Sequence, residues 1–243
     1  KKQKTQITGL IQKLGLAEML TTGYEVQAHT PISDGHVDVG VAYDQLINEW
    51  ELHVHDETTD SEYVPPTDAL LVVNYDARGS IPAGAAWNFL GAEGSETWIL
   101  PNTPTPGLML LGLGAEEIDN GIFVNDEFTF SLRSVSGPGQ FAVFDLDAFN
   151  NPIVLMNSGD GFSGADAVAL TAGAHRDVNW AFSAPGDYTV FFEATGVSVL
   201  HGTTISGSVP YTFTVQAVPE PGTLALAGLG AVTVLLMRRK KRN

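Results

Sequence analysis

Residues 36–43 read His-Val-Asp-Val-Gly-Val-Ala-Tyr and residues 50–55 read Trp-Glu-Leu-His-Val-His, so apolar side chains alternate with polar or small ones in both stretches. Strict alternation is the pattern of a β-strand with one buried face. The five residues Asp44–Asn48 that precede the second stretch are of hairpin length. The sequence therefore predicts a β-hairpin near the start of a β-rich domain.

One face of this predicted hairpin collects potential metal ligands, because two-residue alternation puts every second side chain on the same side. We predict a register that sets His36 opposite His55 and Asp38 opposite His53, with opposed Cβ atoms about 5 Å apart. Imidazole nitrogen and carboxylate oxygen suit zinc or another divalent metal. The predicted ligands, extended by a second His-x-Asp motif, are His36, Asp38, His53, His55, His175 and Asp177. An ordinary solvent-facing strand surface is the alternative.

The sequence beyond the hairpin predicts a series of short strands separated by turns. Ser136-Gly137-Pro138-Gly139 and Ala184-Pro185-Gly186-Asp187 are turn sequences, and helical periodicity is almost absent. This pattern is typical of an all-β fold, and we predict an Ig-like or jelly-roll type β-sandwich over residues 29–217. The four tryptophans lie in apolar patterns, which favours core packing over an exposed carbohydrate-stacking platform.

The predicted domain is strongly acidic. Of the 28 acidic residues, all but Glu18, Glu25 and Glu220 lie within residues 29–217, and the only basic residues there are three arginines, which gives a formal charge of −22. Such a surface repels a phosphate backbone, so nucleic acid is excluded as a partner, whereas divalent cations are attracted. Cysteine is absent from the chain, so disulfides do not stabilise it.

The amino-terminal segment, residues 1–28, has two interpretations. Lys1, Lys2 and Lys4 suit the positively charged start of a signal peptide, but Lys13 and Glu18 interrupt the apolar stretch that should follow. The stretch fits a short amphipathic helix better, with Leu10, Leu14 and Ala17 near one face. We therefore expect either a degenerate leader or a disordered amino-terminal segment.

The carboxy-terminal segment, residues 218–243, has three consecutive parts. Val218-Pro219-Glu220-Pro221 is followed by the uncharged stretch Thr223–Met237 and then by the basic cluster Arg238-Arg239-Lys240-Lys241-Arg242. The apolar stretch is shorter than the roughly 20 residues of a self-sufficient membrane helix, but with its flanks it could cross. The basic cluster would then stay cytoplasmic and the rest of the chain would lie outside.

This tail resembles the PEP-CTERM sorting signal of Gram-negative bacteria, with Val218–Pro221 as its motif. The resemblance implies transit across the inner membrane, recognition by an exosortase-type sorting enzyme, removal of the tail, and delivery to the cell surface or extracellular matrix. An ordinary tail anchor is the alternative.

The body of the chain contains an ordered set of short motifs, which include Gly35–Gly40, Leu52–Asp56, Trp98–Pro101, Leu111–Glu117, Ser136–Gly139 and Ala174–Phe182. Together these motifs resemble the choice-of-anchor M surface domain over nearly all of residues 35–216. The later half is similar to the repeat of actinobacterial surface-anchored proteins. The resemblance implies no enzymatic activity, and some members accompany metal-uptake ABC transporters. A second histidine is expected two positions after His175, where this chain has Asp177.

Three classes of function follow from these patterns. We expect a non-catalytic, exported surface or extracellular-matrix protein, with exopolysaccharide or envelope proteins as possible partners. The alternative is a surface module that binds zinc or a carbohydrate. A metal-dependent hydrolase is disfavoured, since the chain has neither a Gly-x-Ser-x-Gly nor a His-Glu-x-x-His motif.

Two further acidic features are interpreted as structural. The loop Asn157–Asp166 is rich in Gly and Asp but lacks the ligand spacing of an EF-hand, so a turn is favoured over a calcium site. Glu116 and Glu117 are adjacent and should point apart, which predicts a solvated surface.

Overall fold

The computed structural model describes residues 29–217. Strands make up 56% and helices 6% of this part, which confirms the prediction of a mostly β-sheet protein. Within it, no helix is both long enough and apolar enough to cross a membrane. The predicted leader and the predicted sorting helix lie outside the described residues.

The described chain forms seventeen strands and three short 3₁₀ helices, the latter at Tyr75–Ala77, Ala85–Leu90 and Ser158–Asp160. In chain order the strands are β1 (Thr30–Ile32), β2 (Gly35–Asp44), β3 (Glu49–Asp56), β4 (Ser61–Tyr63), β5 (Ala69–Val73), β6 (Arg78–Ser80), β7 (Glu96–Leu100), β8 (Met109–Gly114), β9 (Phe123–Ser136), β10 (Phe141–Leu146), β11 (Pro152–Asn157), β12 (Ala167–Thr171), β13 (His175–Asp177), β14 (Asn179–Phe182), β15 (Gly186–Ser198), β16 (Gly202–Ile205) and β17 (Val209–Val215).

These strands form three sheets. The largest has seven strands in the order β1-β5-β17-β15-β9-β12, with β16 paired to β15. The second has the order β11-β10-β14-β7-β6, and the third has the order β13-β8-β2-β3-β4. In the third sheet β8 runs parallel to β2 and antiparallel to β13, so β8 separates these two strands.

One hydrophobic core joins the three sheets. The ring of Trp180 in the second sheet lies 5.8 Å from that of Phe192 in the largest sheet, and the ring of Trp50 in the third lies 5.0 Å from that of Phe123. The Trp180 Nε1–H donates a 2.7 Å hydrogen bond to the Leu111 carbonyl, which ties the second sheet to the third. The largest sheet therefore packs against both smaller ones. A second hydrophobic cluster, which includes Phe144, Ala181 and Leu90, covers the opposite face of the second sheet.

The predicted hairpin is present as β2 and β3, but its predicted register is wrong. Asp38 lies opposite His55, and His53 lies opposite Gly40. The predicted register requires a two-residue turn, whereas Asp44 pairs with Glu49 and leaves four residues in the turn. The turn ends on a left-handed Asn48, at φ 57°, and this conformation suits asparagine. A slip of two residues preserves alternation, so the same side chains still share the outer face.

The turn predicted around Pro185-Gly186 is also present, since β14 ends at Phe182 and β15 begins at Gly186. It connects two different sheets rather than the two arms of one hairpin. The predicted apolar face of the following strand is buried, with Tyr188, Val190 and Phe192 each at most 2% exposed.

Candidate metal centre

The outer face of the third sheet brings together two His-x-Asp pairs that are far apart in the sequence. His36 and Asp38 lie on β2, and His175 and Asp177 lie on β13. Asp38 and Asp177 both pair with Gly112 of β8, one from each side. The predicted ligands His175 and Asp177 therefore lie on the same sheet face as His36 and Asp38, across a single intervening strand.

The side-chain atoms of these pairs converge on a small volume. His175 Nε2 lies 3.1 Å from Asp38 Oδ1 and 3.3 Å from His36 Nε2, and His36 Nε2 lies 3.9 Å from Asp38 Oδ1. Asp177 Oδ1 lies 3.3 Å from His36 Nε2 and 3.2 Å from His175 Nε2. Zinc bonds of about 2.0–2.1 Å place neighbouring tetrahedral ligands about 3.3 Å apart. His36, Asp38 and His175 thus form a group that could hold a metal ion, with Asp177 beside both imidazoles.

Glycine on the intervening strand makes this convergence possible. Neighbouring strands are about 4.8 Å apart, so the backbones of β2 and β13 are separated by about 10 Å. A Cβ atom on Gly112 would lie 2.3 Å from Asp38 Oδ1 and 2.4 Å from His175 Nε2, far inside contact distance. Side chains from β2 and β13 therefore reach each other over Gly112 only because this position has no side chain.

Asp38 is the most unusual group in the cluster. Its side chain is 1% exposed, and neither of its carboxylate oxygens accepts a hydrogen bond from the described part of the chain. Asp177 Oδ1 is likewise buried without a hydrogen bond. Burying an ionised carboxylate that accepts no hydrogen bond costs on the order of several kcal/mol, and a bound cation would compensate its charge.

Burial raises the pKa of Asp38 from its ordinary value of 3.8 to about 6. The nearby imidazoles of His175 and His36 act in the opposite direction, while Glu116 and Glu57 add to the rise. The environment therefore opposes the charged form of this carboxylate until a positive charge is placed beside it.

A second buried aspartate shows the contrast. Asp166 is 6% exposed, but its Oδ1 accepts a hydrogen bond from the Asn157 amide and its Oδ2 accepts from the amide and hydroxyl of Ser163. Asp166 thus closes the loop Asn157–Asp166, in agreement with the predicted turn. Unlike those of Asp38, both carboxylate oxygens of Asp166 accept hydrogen bonds from neighbouring residues.

The arginines of the described chain do not neutralise the cluster. Arg78 pairs with Glu96, Arg133 Nε lies 3.6 Å from Glu193, and a guanidinium nitrogen of Arg176 lies 3.3 Å from Asp145. Residues 29–217 contain no lysine. Apart from protonation of the histidines, positive charge at this site would have to come from outside the described chain.

Glu116 and Glu117 are exposed, with side chains 46% and 40% accessible, as the predicted solvated surface requires. The turn after β8 is closed by a 3.1 Å hydrogen bond from the Ile118 amide to the Ala115 carbonyl. The two carboxylates do diverge, but each reaches a histidine. Glu116 Oε1 lies 3.6 Å from His175 Nδ1, where a carboxylate can orient the ring so that Nε2 faces a metal.

His53 and His55, also predicted as ligands, have other partners. His53 Nε2 lies 2.9 Å from Glu117 Oε1, and its ring covers Gly40. His55 Nδ1 lies 3.2 Å from Glu57 Oε1. The hairpin alone therefore does not assemble the cluster, and the ligands from β13 replace those expected from β3.

Comparison with known proteins identifies the tail. The family of the PEP-CTERM protein-sorting motif matches residues 217–241, which include the predicted motif Val218–Pro221 and most of the basic cluster. The chain is therefore an exported protein that is sorted to the cell surface through its tail, and the motif implies recognition by exosortase-type machinery. No curated protein matches the sequence. The resemblance of the body to the choice-of-anchor M domain stays a prediction.

Proposed function

We propose that residues 29–217 form a non-catalytic, metal-binding surface domain, which holds a divalent ion such as zinc through His36, Asp38 and His175, with Asp177 as the fourth ligand. The observation that carries the proposal is the buried carboxylate of Asp38, which accepts no hydrogen bond from the described residues and converges with the imidazoles of His36 and His175. The finer assignments, an Ig-like or jelly-roll sandwich of the choice-of-anchor M kind at the cell surface or in the matrix, belong to the same proposal.

The donor set favours a borderline transition metal over calcium or magnesium. Two imidazole nitrogens and two carboxylate oxygens suit zinc and its neighbours, whereas calcium and magnesium prefer sites built from oxygen alone. The formal charge of −22 on residues 29–217 adds a long-range attraction for any divalent cation.

Binding is favoured over catalysis by the number of protein ligands. A catalytic zinc usually keeps one position for water, while four protein ligands fill a tetrahedral shell. Asp177 Oδ1 lies within 3.3 Å of both imidazole nitrogens, but among the described residues only His36, Asp38 and His175 converge as one group of ligand atoms. We propose that the Asp177 side chain turns toward the ion on binding and closes the shell, which favours capture or structural use of the metal over hydrolysis.

Carbohydrate binding through tryptophan has less support. Trp98 and Trp180 are at most 2% exposed, and Trp50 packs against the hydrophobic core. Exopolysaccharide and envelope proteins remain predicted partners of the surface protein, without a described surface that recognises either.

Calorimetric titration of the purified, chelator-treated protein with zinc at pH 7.5 tests the proposal. Wild type should bind tightly, and His175→Ala should weaken this binding by more than about 100-fold, since losing even an outer-shell partner costs 10–100-fold. His201→Ala is the matched control, because His201 is exposed and contacts the Gln45 carbonyl instead. Absence of zinc binding to wild type, or equal affinity in the two variants, would refute the metal centre.

A second pair of variants tests the glycine position. Gly112→Ala puts a methyl group where Asp38 and His175 meet, and should abolish tight zinc binding. Gly79→Ala is its control, because Gly79 also lies in a strand of a five-stranded sheet but nothing lies within 4 Å of its added Cβ. Circular dichroism should show the same strand content in both.

A further inference from the structure

The turn between β2 and β3 displays two large apolar side chains to solvent. Leu46 is 83% exposed and Ile47 is 65% exposed. The turn is held in place, because Asp44 Oδ1 accepts a hydrogen bond from the Leu46 amide and the Gln45 carbonyl lies 2.7 Å from His201 Nε2. Adjacent exposed aliphatic side chains, unlike scattered single ones, are typical of an interaction surface.

Leu46 and Ile47 line an open groove of about 810 Å³, together with the apolar side chains of Trp50 and Ile122. Five carboxylates also line this groove, those of Asp44, Glu49, Glu51, Glu117 and Asp119. Among the described residues, no arginine or lysine lines it. The groove therefore suits a segment that is both apolar and positively charged.

The chain itself contains a segment of this composition. Residues 1–28 carry four lysines, whereas residues 29–217 carry none; the four are Lys1, Lys2, Lys4 and Lys13. The same segment is rich in apolar residues, of which Leu10, Leu14 and Ala17 have the spacing of one helix face. In charge and in apolar character, residues 1–28 therefore complement the groove.

The strand directions place the start of β1 toward the groove. β1 is parallel to β5, β5 is parallel to β17, and β17 runs away from the Ser198 end of β15. The groove lies at that end, where Trp50 Nε1 donates a hydrogen bond to Thr204 Oγ1 of β16. β2 then returns to the groove over ten residues, or about 30 Å. The 28 residues before β1 span up to about 90 Å when extended, so they can reach the groove.

We propose that residues 1–28 dock in this groove of their own chain. Their apolar side chains cover Leu46 and Ile47, and their lysines pair with the carboxylates that surround the two. Docking thus removes exposed apolar surface from water and offsets part of the negative charge of the domain. It is independent of the proposed metal centre, because the groove is lined by other residues than the ligands of that centre.

Carbodiimide crosslinking of the full chain, analysed by mass spectrometry, tests the docking. The reagent joins an amine directly to a carboxylate that it contacts, and the only other lysines of the chain are Lys240 and Lys241. The four lysines of residues 1–28 should couple to the groove carboxylates in preference to exposed acids elsewhere, such as Glu93 and Glu127. The yield should fall in 1 M salt, where the screening length shrinks to about 3 Å.

Ile47→Ser should weaken docking by about tenfold, because it removes apolar area that docking buries, and should lower the crosslink yield at the groove. Ile153→Ser is the matched control, since Ile153 is also exposed but lies on β11 of the second sheet. Circular dichroism should show the same strand content in both variants. A mixture of isotope-labelled and unlabelled protein separates docking within one chain from docking between copies. Crosslinks spread evenly over exposed acids, a yield unchanged by Ile47→Ser, or crosslinks between labelled and unlabelled chains would overturn the proposal.

Discussion

Asp38→Asn should stabilise the metal-free protein while it abolishes tight zinc binding. The wild-type carboxylate is 1% exposed and accepts no hydrogen bond from the described residues, so its charge is unfavourable unless a cation is bound. Asparagine has nearly the same shape as a protonated aspartate and carries no charge. The substitution therefore removes an unfavourable charge from the metal-free state and a ligand from the metal-bound state.

The expected gain in stability follows from the pKa of Asp38, which burial raises from 3.8 to about 6. Each whole step of pKa corresponds to about 1.4 kcal/mol, so ionised Asp38 lowers the free energy of unfolding by about 3 kcal/mol at pH 7.5. Because the pKa is raised in the folded state, this loss diminishes as the pH falls through 6. By the same relation, the destabilisation by Asp38 is about half as large at pH 5, and it vanishes below the pKa of about 3.8 that aspartate has in the unfolded chain.

Urea unfolding in the presence of a chelator measures this difference. The free energy of unfolding of Asp38→Asn should exceed that of wild type by about 3 kcal/mol at pH 7.5 and by about half of that at pH 5. The free energy of unfolding of Asp166→Asn should instead be about 1–3 kcal/mol lower than that of wild type. Asp166 accepts three hydrogen bonds through its two oxygens, and an asparagine amide has only one acceptor oxygen. An Asp38→Asn protein that is less stable than wild type at pH 7.5 would contradict the argument.

Three other predictions concern the metal, the core and the tail. Zinc affinity should fall between pH 7.5 and pH 5 in calorimetry, because imidazoles bind metal only when neutral and Asp38, with a pKa of about 6, must be ionised; equal affinity at both values would contradict this. Trp180→Ala should lower the free energy of unfolding by about 3–5 kcal/mol in urea, since the side chain is fully buried. Neutral residues in place of Arg238–Arg242 should leave the protein unprocessed or misplaced in cell fractions, and normal surface delivery would count against the sorting interpretation.

Side-chain alternation predicted correctly which residues of the hairpin share a face. His36, Asp38, His53 and His55 do lie on the outer face of the third sheet, as a period of two requires. The register within that face was not predictable from alternation, because any even shift preserves it. A four-residue turn and the left-handed Asn48 decide the register, and both depend on backbone conformations that the pattern does not specify.

The partner strand of the cluster was harder to predict. His175 meets His36 across 139 residues of sequence, through a strand that is parallel to one neighbour and antiparallel to the other. No local pattern encodes that arrangement. One signal was present in the sequence, because Leu111-Gly112-Leu113-Gly114 puts glycine at two successive outward positions of β8, and glycine within a strand marks a close approach.

The distance in sequence between the ligands links metal binding to folding. β2 and β13 are brought together only in the folded state, so an ion held by His36, Asp38 and His175 stabilises the folded state and not the unfolded chain. At a free zinc concentration 100 times the dissociation constant, this linkage contributes about 2.7 kcal/mol. That gain is close to the roughly 3 kcal/mol by which the ionised Asp38 destabilises the metal-free protein at pH 7.5. The unfavourable burial of Asp38 is therefore of a size that the proposed ion can offset.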